Sequence, residues 1–292
     1  MIPIAYLREW SEHAPWPDLS QVEQDLIICR ALCDLFNSKA LAGKIAFRGG
    51  TAIHKLLFDK PLRYSEDIDL VQTHGEPIGE TAKAIHHALA WIGKYNYQRS
   101  PHSNHMTFKF TPESGGGVEL KLMVEINTRE HKSLYDLKRY PFEMACGWHQ
   151  AKAEILSFEP EELFGTKLRA LLQRHKNRDL FDLNEGLLKL GLDQARVIEC
   201  FEHYLALEGT SISRANAEQT MLKKLNRSLT EDIAPLLPPG VNFTDADAIT
   251  AFGRVWRDLI RQLQGGPWKS SKAAIDEIRK KKIPSLLSGI EE

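Results

Sequence analysis

Phe47-Arg48-Gly49-Gly50-Thr51-Ala52-Ile53-His54-Lys55 and, after a short turn, Arg63-Tyr64-Ser65-Glu66-Asp67-Ile68-Asp69-Leu70 form the stretch on which the fold turns. Lys44-Ile45-Ala46-Phe47 suits a short strand, and Gly49-Gly50 lets the backbone turn sharply and come close to a ligand. A helix is expected next. Ile53, Leu56 and Leu57 fall at i, i+3 and i+4, a buried stripe that leaves Thr51, His54 and Lys55 on the accessible side near the helix start, where backbone N–H groups attract anions. Asp67 and Asp69 stand one residue apart, so on a strand they share a face while Ile68 and Leu70 turn to the core. Two adjacent carboxylates suit Mg²⁺, which takes one or two of them and fills its other positions with water and substrate phosphate. A glycine turn for phosphate beside an Asp-x-Asp pair for metal is a nucleotidyl-transfer constellation. The bland alternative is a surface turn followed by a solvated acidic strand end. A bare Asp-x-Asp would favour that alternative, but the glycines, Lys55, Arg63 and Ser65 tip the balance to chemistry.

The two blocks, Phe47 to Lys55 and Arg63 to Leu70, resemble the signature of the AbiEii/MenT family of nucleotidyltransferase-like toxins, the toxin halves of bacterial toxin–antitoxin systems. The resemblance implies a fold class of α/β (α+β) type, a core like that of DNA polymerase β followed by a C-terminal α-helical domain. It implies that Arg48, Gly49, Gly50, Thr51, Lys55, Arg63 and Ser65 hold the nucleotide and its phosphates and that Asp67 and Asp69 bind Mg²⁺. Enzymes of the polymerase β type also place a third carboxylate on a neighbouring strand. Between 118 and 126, Val118, Leu120, Leu122, Val124 and Ile126 share one face and Glu119, Lys121, Met123, Glu125 and Asn127 the other. Glu125, in Val-Glu-Ile-Asn, is the candidate for metal binding or for deprotonating the acceptor, and Glu119 lies on the same face further back. For both, the alternative is a solvated strand face.

A second block carries the resemblance onward. Phe164-Gly165-Thr166-Lys167-Leu168-Arg169-Ala170-Leu171, then Arg178-Asp179-Leu180-Phe181-Asp182-Leu183, is similar to the downstream half of the family pattern. The family's essential lysine maps to Lys167 and its essential acid best to Asp182, with Asp179 the weaker candidate. If one helix ran through both segments, Lys167, Leu171, Arg174, Arg178 and Asp182 would align on one face and Asp179 would point away. The alternative is a salt-bridged surface helix, worth little energetically.

Length and composition bound the rest. With 292 residues, 42% of them hydrophobic, the chain can bury a sizeable core in one large or two modest domains. We divide it into a nucleotidyltransferase core with an N-terminal helix over residues 1–158 and a helical domain over 159–292 that contributes Lys167 and Asp182 to the cleft. No apolar run approaches the ~20 residues that span a bilayer, and the first residues lack the layout of a signal peptide, so a cytoplasmic location without membrane contact is expected. The four cysteines have no paired metal spacing and read as buried thiols. A net charge of −1 supplies no global field for nucleic acid. Local patches must serve instead. Two qualify: Lys167, Arg169, Arg174, His175, Lys176 and Arg178, and Lys269, Lys272, Arg279, Lys280, Lys281 and Lys282, each with a solvated helix face as its alternative.

In the remaining chain, Ser20 with Glu23 suggests a capping box before a helix carrying Val22, Leu26, Ile27, Cys29, Cys33 and Phe36. Helical spacing recurs over 82–92, 194–207, 221–229 and 245–263. His105 to Phe110 reads as a strand joined to the next through Pro112-Glu113-Ser114-Gly115-Gly116-Gly117. Residues 134–158 read as loop and short apolar runs, with Met144 to Trp148 a buried turn. By resemblance, the expected reaction is transfer of a nucleoside monophosphate from an NTP to a hydroxyl, with the 3′ end of a tRNA as acceptor and a cognate antitoxin as partner. The rivals are nucleotidylation of a protein side chain or phosphoryl transfer from GTP at the same site, and a nucleotide-binding regulator without catalysis.

Overall fold

The computed structural model describes residues 2–100, 103–113, 119–225 and 227–280. The chain divides into two compact units, Met1–Glu159 with Leu236–Gly240, and Pro160–Pro235 with Val241–Glu292. Among the described residues no helix is long and apolar enough to cross a membrane.

The first unit is built on one mixed sheet of seven described strands. At its centre β1 (Ile45–Arg48) and β2 (Asp67–Gln72) pair antiparallel. Beside β2 lies β5 (Leu120–Asn127), parallel to it, then β4 (Ser103–Phe110) and the edge strand β3 (Lys94–Arg99), both added antiparallel. On the other flank β7 (His149–Ser157) runs parallel to β1 and pairs antiparallel with the outer β6 (Lys138–Cys146). Inward positions alternate along these strands. Ile68 and Leu70, Leu122, Val124 and Ile126, and Met106 and Phe108 join one apolar cluster with Leu26, Ile28 and Leu32 of α2 (Leu19–Asn37) and Ile85 and Leu89 of α4 (Gly79–Leu89). Each such side chain contributes about 1.5–3 kcal/mol on burial. That burial pins the register, because a slip of one residue would send Asp67 and Asp69 into the core.

Several expectations are corrected here. The first long helix begins at Leu19 with Asp18 as its cap, and the Gln21 side chain reaches back to the Asp18 N–H at 3.3 Å, so the capping box is one of Asp18 and Gln21 and not of Ser20 and Glu23. Glu23 is buried and accepts from the Glu113 backbone N–H at 3.1 Å. A short α1 (Ile4–Trp10) precedes it, and Trp10 and Trp16 both donate to Asp25. Residues 134–158, expected as loop and short apolar runs, contain β6 and β7, and β3 is a further strand beyond those expected. Weak strand formers such as Ala151, Lys152, Ala153 and Glu154, and Pro141 inside an outer strand, hide the pattern. Of the hairpin connection before β5, Ser114, Gly115, Gly116, Gly117 and Val118 lie outside the described residues.

The second unit is helical: α5 (Pro160–Gln173), α6 (Arg178–Lys189), α7 (Gln194–Leu207), α8 (Arg214–Lys224), α9 (Asp245–Asp258) and α10 (Ser271–Lys280). The helix expected over 221–229 starts earlier, at Arg214, with Ser213 accepting from the Asn216 N–H as its cap. Glycine lets two of these helices approach closely: a Cβ on Gly165 would stand 2.6 Å from Cys200 Cβ and 2.9 Å from the Phe201 nitrogen of α7.

Candidate active site

Asp67 and Asp69 occupy the outward face of β2, both half-buried. Register puts Asp69 beside Glu125 of β5 and Asp67 beside Met123, so all three carboxylates lie on one face of a parallel strand pair. On the other flank Arg48 of β1 is the partner position of Asp69. The glycine turn is fitted to this carboxylate. Gly49 has φ +80°, in the left-handed region, and a Cβ there would collide with Asp69 Oδ2. Glu125 is more open, its side chain 38% exposed, with Oε2 4.0 Å from His105 Nδ1. His105 Nε2 in turn lies 2.8 Å from Ser103 Oγ. His105 was not among the sequence candidates, although its alternation with buried Met106 and Asn104 places it on the same face as Glu125.

The residues expected to hold phosphate separate into two groups. α3 (Gly49–Leu56) begins at Gly49, with Arg48 as its N-cap residue and Gly50 in its first turn. The Thr51 hydroxyl donates to the Asp67 carbonyl at 2.6 Å. Its single proton thus spent, it accepts from Ser65 Oγ, also at 2.6 Å. Ser65 therefore turns lone pairs, and not its proton, to the half-exposed side. Arg48 is ion-paired with Glu130, whose own N–H is held by Asn127 Oδ1 at 3.0 Å. Three expected exposures are corrected: Thr51 and His54 are buried, each 1% exposed, and Lys55 reaches inward to Asp25 at 2.7 Å with 8% of its side chain exposed. Burial alone would lower the Lys55 ammonium, but Asp25 and Cys29 hold it above its ordinary value. Arg63, likewise, is 2% exposed and donates to the Tyr64 carbonyl at 3.0 Å. Neither Lys55 nor Arg63 is presented at the surface.

In the second unit Lys167 is held by two acids. Its Nζ lies 2.8 Å from Asp182 Oδ2 and 3.0 Å from Asp179 Oδ1, and both aspartates are fully buried. Asp179 does not point away as a continuous helix would require. The chain breaks between α5 and α6 over residues 174–177, and positions 179 and 182, three apart, present both carboxylates to the lysine. Arg174 also clamps Asp179, with Nε and one terminal nitrogen each at 2.7 Å. Burial alone would raise the Asp179 carboxyl, yet Lys167 and Arg174 hold it below the ordinary range. Two members of the first basic cluster leave it: Lys167 is buried, and Arg169 is buried against Tyr204 and Glu208. Of the second cluster, Lys281 and Lys282 lie outside the described residues, as do the side chains of Arg279 and Lys280.

Hard oxygen donors on one open face suit Mg²⁺, and two carboxylates suffice when water and phosphate fill the rest of the shell. Among the described residues no group of three or more His, Cys, Asp or Glu side chains converges closely enough to hold a metal by itself.

A seven-stranded mixed sheet with C-terminal helices, bearing an Asp-x-Asp strand behind a glycine turn, defines a nucleotidyltransferase fold. The family described as nucleotidyl transferase AbiEii toxin, Type IV TA system, matches residues 30–267, and the chain belongs to it. Among solved structures it is similar to MenT4, a nucleotidyltransferase toxin from Mycobacterium tuberculosis H37Rv, at 15% identity and a TM-score of 0.53, covering 98% of this chain and 99% of that one. JHP933 from Helicobacter pylori is similar at 16% identity and a TM-score of 0.51, covering 89% of this chain and 98% of that one. Among curated proteins none matches the sequence.

Proposed function

We propose that this toxin transfers a nucleoside monophosphate from an NTP to an acceptor hydroxyl, with the 3′ end of a tRNA as acceptor. The observation that carries the reading is the shared face of Asp67, Asp69 and Glu125 across β2 and β5, with Gly49 packed on the Asp69 carboxylate. In the proposed reaction the acceptor oxygen attacks the α-phosphorus, the bond to the β-phosphate oxygen breaks, and pyrophosphate leaves. Glu125 receives the acceptor proton, which its open carboxylate can accept directly or through water. Asp67 and Asp69 would hold Mg²⁺, whose chemistry is to neutralise phosphate charge and orient the reacting oxygens. Gly49 and Gly50 offer backbone N–H groups to phosphate. Ser65 lines the same entrance, oriented by Thr51. Lys167 is assigned to the reaction as the lysine of the second family block, with Asp182 and Asp179 fixing its ammonium. A cognate antitoxin restrains the activity, as a toxin of a type IV system implies.

The test is incubation of the purified protein with each labelled NTP, Mg²⁺ and total tRNA beside Asp67→Asn. Label is expected on RNA for the wild type, reduced about 100-fold or more in the variant. Label on protein instead would establish the rival acceptor, and nucleotide binding without transfer would defeat the catalytic reading.

A further inference from the structure

The outward face of the sheet continues beyond Glu125 and carries an arrangement that none of the proposed chemistry uses. Lys94 of β3 pairs in register with Lys109 of β4, and Lys109 with Lys121 of β5. Cross-strand partners share a face, so three lysines form a row across three adjacent strands, spanning about 10 Å at the usual strand spacing. All three are exposed. Like charges directly opposite one another destabilise a sheet. Among the described residues only Lys109 has an acidic partner, Glu119 at 2.7 Å, and Lys94 and Lys121 have none. Nothing in the fold requires this row, and its own electrostatics oppose it.

Its position supplies a reason. Lys121 precedes Met123, the register partner of Asp67, by two residues and Glu125 by four, about 7 and 14 Å along the strand. Between the lysines and the carboxylates the same face presents Asn96, Thr107 and Met123, then Gln98, His105 and Glu125. These rows are polar, with one methionine. A protein partner would call for an apolar centre to its footprint, which this face lacks. Cations in a row, hydrogen-bonding side chains beyond them and a path in line with the carboxylates fit a polyanion lying along the sheet.

We propose that the Lys94–Lys109–Lys121 row binds the phosphodiester backbone of an RNA acceptor and leads its end to Asp67, Asp69 and Glu125. The inference deepens the nucleotidyl-transfer reading and rests on it for the end of the path, although the RNA contact is measurable without any turnover. The experiment titrates fluorescent tRNA against the full-length protein without NTP, over a series of salt concentrations, for the wild type, Lys94→Gln/Lys121→Gln and Lys94→Arg/Lys121→Arg. Losing two phosphate contacts should weaken RNA binding about tenfold or more at low salt. It should also make the slope of log affinity against log salt shallower by about 1.4 to 1.8. NTP binding by equilibrium dialysis should not change, the arginine variant should retain RNA affinity, and the melting temperature of the glutamine variant should not fall, since repulsion is relieved. Unchanged RNA affinity and slope would overturn the proposal, as would the absence of RNA binding by the wild type. An equal loss of NTP binding would assign the row to the triphosphate, and equal affinity for poly-glutamate would assign it to an acidic protein. If RNA binding depends on the row while no label ever reaches RNA in the transfer assay, the row stands as an RNA contact and the reading of RNA as acceptor falls.

Discussion

At the scale of single residues, the site turns on Gly49. Its left-handed backbone and its contact with Asp69 leave no place for a side chain. Gly49→Ala should cost about 1–2 kcal/mol for the backbone alone and more for the collision, and it should displace Asp69. Gly79→Ala is the control, because a Cβ there meets nothing within 4 Å. A urea titration of both variants with the transfer assay alongside should show stability and activity lost together at position 49 and neither lost at position 79. Lys55 teaches the opposite lesson. A lysine in the turn after a glycine pair invites a phosphate role, but its contact with Asp25 depends on a residue thirty positions earlier that also takes both tryptophan N–H groups. The motif was legible because its residues are neighbours in the chain. The use of Lys55 was not, because its partner is supplied by α2.

At the scale of elements, the α5–α6 pair shows where spacing misleads. The alignment of Lys167 with Asp182 assumed one continuous helix, and the break at residues 174–177 changes which side chains meet. Both aspartates reach the lysine, and Arg174 adds a second cation on Asp179. Because the folded-state value of Asp179 is depressed, its contribution to stability is present above the ordinary carboxylate range of about 4 and is lost as pH falls through the folded value. Wild-type stability should therefore decline with acidification below about pH 5. Asp179→Asn should flatten that decline, and at neutral pH it should lie about 3 kcal/mol lower because Arg174 loses its carboxylate and Lys167 one of its two. Chemical denaturation across the pH range, with loss of the neutral-pH difference as the adverse result, checks both. The strands tell a related story. β2 and β5 were plain from their alternation of apolar and polar side chains. β3, β6 and β7 alternate as well, with Tyr95 and Tyr97 in β3 and Tyr140, Phe142, Met144 and Cys146 in β6, but polar runs, weak strand formers and Pro141 mask it.

At the scale of the whole molecule, the four cysteines are free and buried. Burial pushes Cys29 and Cys200 up to about 12 and Cys33 to about 11, and it raises Cys146 as well. Thiolate is therefore scarce at neutral pH in every case. A chromogenic thiol reagent should find none of the four promptly in the native protein and all four after denaturation; a fast native thiol would contradict the packing of both units. Strand connectivity has its own consequence. The middle of the sheet, β1 and β2, is translated early, but its parallel neighbours come much later: Asp69 waits for Glu125, and Phe47 for Ser157. Such long-range pairings close slowly. On a translating ribosome, the aspartate strand emerges without its glutamate neighbour, and the carboxylate face is assembled only after β5 has cleared the exit tunnel.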